Sequence, residues 1–248
     1  MRASRITTAA RRGGAWAADY AYAVRQIGAG LIRPAPEWAT SGATSGTQVP
    51  VLLIPGIYES WRFLEPLAER LLDAGHPVHV VRELGLNHRS VRSGADMVAA
   101  NLRTLAAREV VLVAHSKGGL IGKQVLLDRA DGVTYGAQAG AGDARPGPRV
   151  LGLVAVNTPF RGSAYATFMP VRAVRALSPR ALRALAEQRA VDAQITSLYT
   201  SWDPHIPGGS ELLTARNVQV PAVGHFRILG DRHTQDAIVA AVRSYQEG

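Results

Sequence analysis

The stretch Val110-Val-Leu-Val-Ala-His-Ser-Lys-Gly-Gly119 constrains this chain most. The apolar run from Val110 to Ala114 reads as a strand buried on both faces. A helical pattern through Leu120, Val125 and Leu127 starts directly after His115-Ser116-Lys117-Gly118-Gly119. So short a turn needs small residues where the backbones cross, and Ala114 and Gly118 supply them. A serine on that turn lifts its hydroxyl above the sheet edge. The amide of Lys117, at the positive end of a helix, can then face a developing oxyanion. Ser116 is therefore a candidate nucleophile, the alternative being a structural serine in a Gly-rich turn.

The rest of the chain repeats the same alternation. Strands are expected at Val49–Ile54, Pro77–Val81, Val150–Val156, Ile195–Tyr199 and Asn217–Val220, besides the one before Ser116. Helices are expected over 60–74 (Leu64, Leu67, Leu71, Leu72), 93–107 (Val98, Leu102, Leu105) and 234–245, with Ile238 and Val242 facing inward. Alternating strands and helices predict an α/β fold: a mostly parallel sheet with helices on both faces and right-handed crossovers. The chain of 248 residues suits one such domain, residues 49–248, preceded by a basic segment and linker, residues 1–48. Residues 132–149, rich in Gly and Ala, read as a surface loop. Residues 160–193 place six arginines, Arg172, Arg175, Arg180, Arg183 and Arg189 among them, between apolar residues, which predicts one or two amphipathic helices. As a cap-like insertion they would lie over Ser116 and line an apolar pocket with Phe160, Tyr165, Phe168 and Met169. As an ordinary connection they would not.

A serine needs a base, and the base needs an orienting acid. His225 follows the sixth expected strand in Val-Gly-His-Phe-Arg, where Gly224 suggests an open, flexible loop end. Asp203 follows the fifth in Ser-Trp-Asp-Pro-His-Ile-Pro. Ser116, Asp203 and His225 thus stand at the ends of successive strands in the order nucleophile, acid, base. At the end of the first strand, Ile54-Pro-Gly-Ile-Tyr58 offers a glycine turn that can aim the Ile57 amide at the same point as the Lys117 amide. Two amides make an oxyanion hole. Tyr58 and His205 are pocket candidates, while Glu59, Trp61 and Arg62 are expected at the entrance or behind it. The His115 side chain should point away from Ser116 Oγ. His76, His79, His88 and His233 read as structural or solvated, and Asp231 breaks the chain order. No ligand spacing such as HExxH is present, so no metal is expected.

Cysteine is absent, which excludes disulfides and a cysteine nucleophile. The net charge of +9 comes from 28 basic residues, of which only Lys117 and Lys123 are lysine. Nucleic-acid binding is not expected, because the arginines form no dense stripe and no aromatic-interleaved basic motif occurs. Residues 1–33 carry six arginines against one acid, Asp19. Asp19, Arg25 and Gln26 interrupt any export-signal core. Residues 15–32 can form a helix with Trp16, Tyr20, Ala23, Val24, Ile27 and Leu31 on one face. That face either packs on the domain or contacts an anionic membrane surface peripherally. The expected location is cytoplasmic.

These motifs, together with Asn157-Thr-Pro-Phe-Arg-Gly-Ser163, resemble the α/β-hydrolase superfamily over about residues 49–245, and within it the lipase-like and esterase-like serine hydrolases of actinobacteria. The resemblance implies nucleophile Ser116, acid Asp203, base His225, oxyanion amides from Ile57 and Lys117, and no cofactor. It departs at Ala114, where glycine is usual, and at Lys117, where many relatives have Met or Gln. A lysine there either favours an anionic or phosphate-bearing substrate or pairs with an acid such as Glu59. The expected substrate is a small-molecule ester. The same parts would serve a thioesterase or acyltransferase acting on an acyl thioester, and a binding protein with an idle site is the non-enzymatic rival.

Overall fold

In the computed structural model, residues 2–40, 46–133 and 147–247 are described, residues 2–11 as backbone alone. Most of the 132–149 segment therefore lies outside the described residues. So do five residues of the 34–48 linker, whose remainder includes a short helix, α2 (Glu37–Thr40).

Among the described residues, six strands form one parallel sheet: β1 (Val51–Ile54), β2 (Val78–Val80), β3 (Glu109–His115), β4 (Arg149–Val156), β5 (Ile195–Trp202) and β6 (Arg216–Val223). Their spatial order is β2-β1-β3-β4-β5-β6. Strand pleating divides each apolar run between two cores. Leu52, Ile54, Leu112, Ala114, Leu153 and Ala155 pack on α4 (Val91–Thr104) and α5 (Lys117–Ala130). Val51, Leu53, Val111, Val113, Val154 and Val156 pack on α3 (Glu65–Asp73) and α8 (Arg232–Ser244). Burial on both faces is why these strands read as continuous apolar runs. Ile238 and Val242 of α8 are fully buried. Asp231 caps that helix by accepting from the Thr234 amide at 2.8 Å.

The chain order reverses between β1 and β3, and the C-terminal ends of those two strands border a crevice there. The Pro55–Tyr58 turn and Ser116 stand on its two sides.

The N-terminal segment is a single helix, α1 (Arg2–Ile32), longer than the sequence pattern suggested. Of the expected apolar face, only Ala23 is buried; Trp16, Tyr20, Val24, Ile27 and Leu31 are exposed. The inward side instead presents Asp19, Tyr22 and Ala23, with Tyr22 edge-on to Phe63. The helix is held by a polar anchor and a few rings, and most of its apolar face stays exposed. Residues 160–193 form α6 (Arg172–Arg175) and α7 (Pro179–Glu187) with short 3-10 turns around them. Leu182 and Leu185 of α7 join the core beside α5, so only the first half of this segment is free to cover the crevice.

Candidate active site

Ser116 occupies the turn between β3 and α5 with φ 50° and ψ −122°. A non-glycine residue there is strained by about 1–3 kcal/mol and persists only where its surroundings enforce it. The Ser116 amide donates to Val156 O at 2.8 Å, and the Gly119 amide donates to Ser116 O at 3.0 Å. Gly118 is obligatory for a different reason: a Cβ there would lie 2.3 Å from Ile54 O and 2.8 Å from Pro55 O. The turn therefore presses against the end of β1 and brings Ser116 to the Ile57 loop.

His225 and Asp203 come from the ends of β6 and β5. His225 Nε2 lies 2.9 Å from Ser116 Oγ, and His225 Nδ1 lies 2.7 Å from Asp203 Oδ2. The His205 amide donates to Asp203 Oδ1 at 2.7 Å and the Ile206 amide at 3.2 Å. Burial alone would push the Asp203 carboxyl up, but the His225 charge and hydrogen bonds hold it below its ordinary value. Burial opposes protonation of His225, and Asp203, together with the charges of Glu59 and Asp19, more than offsets this, so the imidazole is raised above its ordinary value. The arrangement can take a proton from Ser116 and stabilise the resulting imidazolium.

The loop carrying His225 is held from three directions. Asp19, fully buried on α1, accepts from three successive amides: His225 at 2.8 Å, Phe226 at 2.8 Å and Arg227 at 2.9 Å. Asn157, at φ 45°, donates to Gly224 O at 3.0 Å and His225 O at 3.3 Å, and accepts from the Thr200 amide at 3.1 Å. His115 turns away from Ser116 Oγ, as expected, and meets His225 O through Nε2 at 2.9 Å. Its Nδ1 meets Glu59 at 2.8 Å, and Glu59 also accepts from the Gly56 amide at 2.7 Å. Gly224 is not a loose loop end. It is buried at φ 103°, and a Cβ would lie 2.5 Å from Asp19 Oδ1. Sequence reasoning missed Asp19, Asn157 and the His115–Glu59 pair as supports of this loop. The signals were a lone acid in a basic helix and a His beside the elbow serine.

A cavity of about 150 Å³ lies at Ser116, lined mainly by Ile57, Pro159, Met169, Leu177, Ile206 and Phe226. Tyr165 and His205 also border it. Three other expectations fail. Phe160 is buried in the core, with the Lys123 ammonium 6.0 Å from its ring centroid. Phe168 is 85% exposed, and Tyr58, at φ 59°, is also exposed on its turn. Trp61 and Arg62 secure the 34–40 segment, through Trp38 and Pro34 O, and do not border the cavity.

Lys117 begins α5, so its amide has no acceptor within the helix. Its side chain neither lines the cavity at Ser116 nor pairs with Glu59. Nζ donates to Asn87 O at 2.6 Å and to Arg89 O, tying down the 87–89 loop. Burial lowers its pKa to about 8. Lys123 is spent as well, in a buried ion pair with Asp192 at 2.8 Å. Among the described residues, Asp203, His205 and His225 present metal-ligand atoms within 4.8 Å of one another. An ion there would compete for the atoms that join His225 to Asp203.

No protein-family model and no curated protein sequence matches the chain. Solved structures do resemble it. The mature lipase BlEst2 of Bacillus licheniformis aligns at 16% identity with TM-score 0.59, over 85% of this chain and 94% of that one. The ydeN gene product of B. subtilis aligns at 16% identity with TM-score 0.56, over 81% and 100%. A monoacylglycerol lipase of Paleococcus ferrophilus aligns at 16% identity with TM-score 0.53, over 81% and 98%. The chain thus has the α/β-hydrolase fold. The likeness is to proteins of diverse organisms and is not specific to actinobacteria.

Proposed function

We propose that this protein is a serine hydrolase of carboxylic esters that works through an acyl-enzyme. The reading rests on the unbroken row Ser116 Oγ, His225, Asp203, with hydrogen bonds of 2.9 and 2.7 Å. His225 takes the Ser116 proton as Oγ attacks the ester carbonyl. Asp203 fixes the imidazole tautomer and steadies the imidazolium. The amides of Ile57 and Lys117 receive the oxyanion. His225 then protonates the departing alcohol, and water resolves the acyl-enzyme by the same steps in reverse. A likeness to two lipases on the same fold agrees with this chemistry.

The cavity at Ser116 argues for a short acyl group. An apolar space of about 150 Å³ is what benzene fills, which corresponds to roughly six carbons. Acyl carriers bearing phosphate are disfavoured, because the Lys117 ammonium is already taken by backbone carbonyls. The test is covalent labelling by a fluorophosphonate with hydrolysis of p-nitrophenyl butyrate. The wild type should do both, and Ser116→Ala should do neither while keeping its melting temperature. Labelling retained in Ser116→Ala would overturn the assignment. Failure of the wild type to label would favour the non-enzymatic alternative.

A further inference from the structure

A second, larger space adjoins the first. Between α1 and the 203–210 loop runs an open groove of about 900 Å³. Its walls include Trp16 and Tyr20 from α1, Tyr165 and Met169 from the capping segment, and Trp202 and His205 from the end of β5 and the loop after it. Tyr165, Met169, His205 and Ile206 border both spaces, so the groove and the cavity at Ser116 meet there. The junction is next to the base: the His205 and His225 ring centroids are 4.8 Å apart. The Trp16 and Tyr20 rings are 4.6 Å apart, and Arg12 lies over the Trp202 ring at 5.7 Å.

We infer that this groove is the leaving-group subsite, and that the ester it takes joins a short acyl chain to a bulky aromatic alcohol. The inference deepens the ester-hydrolase reading and rests on it. In that mechanism His225 hands its proton to the departing oxygen, so the alcohol must leave on the His225 side. That side opens past His205 into the groove. The unequal sizes of the two spaces then assign the parts of the substrate: the small apolar cavity suits acyl carbon, and the wide groove suits the alcohol. Its walls suit flat rings, because aromatic side chains bind ring faces and edges beyond simple burial. His205 completes the floor. Burial, followed by the His225 charge, lowers its pKa to about 4, so it stands neutral between the two spaces. Tyr20 holds it in place through a 2.8 Å contact between its hydroxyl and Nε2. The helix α1 therefore supplies part of the site, although it precedes the sheet in sequence.

The test compares phenyl and 2-naphthyl butyrate, whose leaving phenols have similar acidity and differ by one ring. Burying that ring against Trp16 should favour the naphthyl ester by about tenfold in kcat/KM. Trp16→Ala should bring the ratio close to one, and Trp16→Phe should restore most of it. A ratio near one in the wild type, or one that Trp16→Ala leaves unchanged, would overturn the subsite. A binding measurement separates this from failure of the chemistry. Calorimetry should detect 2-naphthol binding to Ser116→Ala and its loss in Ser116→Ala/Trp16→Ala. Binding without turnover in the wild type would sustain the groove and reject the hydrolase reading. Absence of 2-naphthol binding would reject the groove.

Discussion

Replacing Asp19 by alanine removes the acceptor of three successive amides at the candidate base. The His225 amide is buried there, while Arg227 is exposed and water can replace its partner. A buried donor left unpaired costs about 1–3 kcal/mol, and bonds to a charged acceptor lie at the upper end. Relief from burying a lone carboxylate returns part of that. The expected net loss is about 3 kcal/mol, or about 6–12 °C in Tm for a chain of this size. The kinetic effect should be larger than stability alone explains, because a shift of about 1 Å in a catalytic group costs roughly 100-fold. Asp19→Asn should fall between, since its amide oxygen still accepts while its NH₂ meets a backbone N–H. Assays at 15 °C, well below either melting point, should show a fall in kcat with little change in KM. The acid limb should also move to lower pH, because the Asp19 charge helps raise the His225 pKa. A Tm drop with unchanged kcat and unchanged acid limb would refute the positioning role and leave Asp19 as a structural anchor. No change in either would refute the energetic reasoning as well.

Activity requires neutral His225, whose pKa is raised above 6.5, so kcat/KM should rise with pH through a midpoint above that value. Asp203→Asn should lower the midpoint and cut kcat by about 10⁴-fold; a pH–rate profile on p-nitrophenyl butyrate reads both. The same raised pKa makes the protonated His225–Asp203 pair a stabilising contact that is full below pH 6.5 and lost as pH rises through the folded value, which a series of melts can follow. Gly224→Ala should destabilise by about 2–4 kcal/mol, since it combines a φ of 103° with a clash on Asp19; a denaturant melt with a near-native midpoint would contradict this. Along a p-nitrophenyl ester series, each added methylene should raise kcat/KM by about fourfold until roughly six acyl carbons and then cease to help. Best turnover of the palmitate ester would contradict the cavity size.

What the sequence determined by itself is local or follows from chain order. The run Val110–Ala114 before His115-Ser116 specified a strand, a tight turn and a helix, because burial and backbone sterics act over a few residues. The expected ends of the fifth and sixth strands stopped short of Trp202 and Val223, yet Asp203 still fell one residue and His225 two residues after the observed ends. Their approach to Ser116 follows from parallel strands whose C-terminal ends lie on one edge. Tertiary structure decided what depends on facing surfaces. Phe160 and Phe168 are equally apolar, yet one is in the core and the other in solvent, because position relative to α5 and the crevice sets their burial. The sequence left the Lys117 side chain either an anionic substrate or an acid such as Glu59, but the 87–89 loop brings carbonyls to it. The buried carboxylate of Asp19 and the amides it serves are 206 residues and more apart in the chain. No periodicity records such a pairing: a buried polar group must find partners, and only the folded chain determines which ones come within reach.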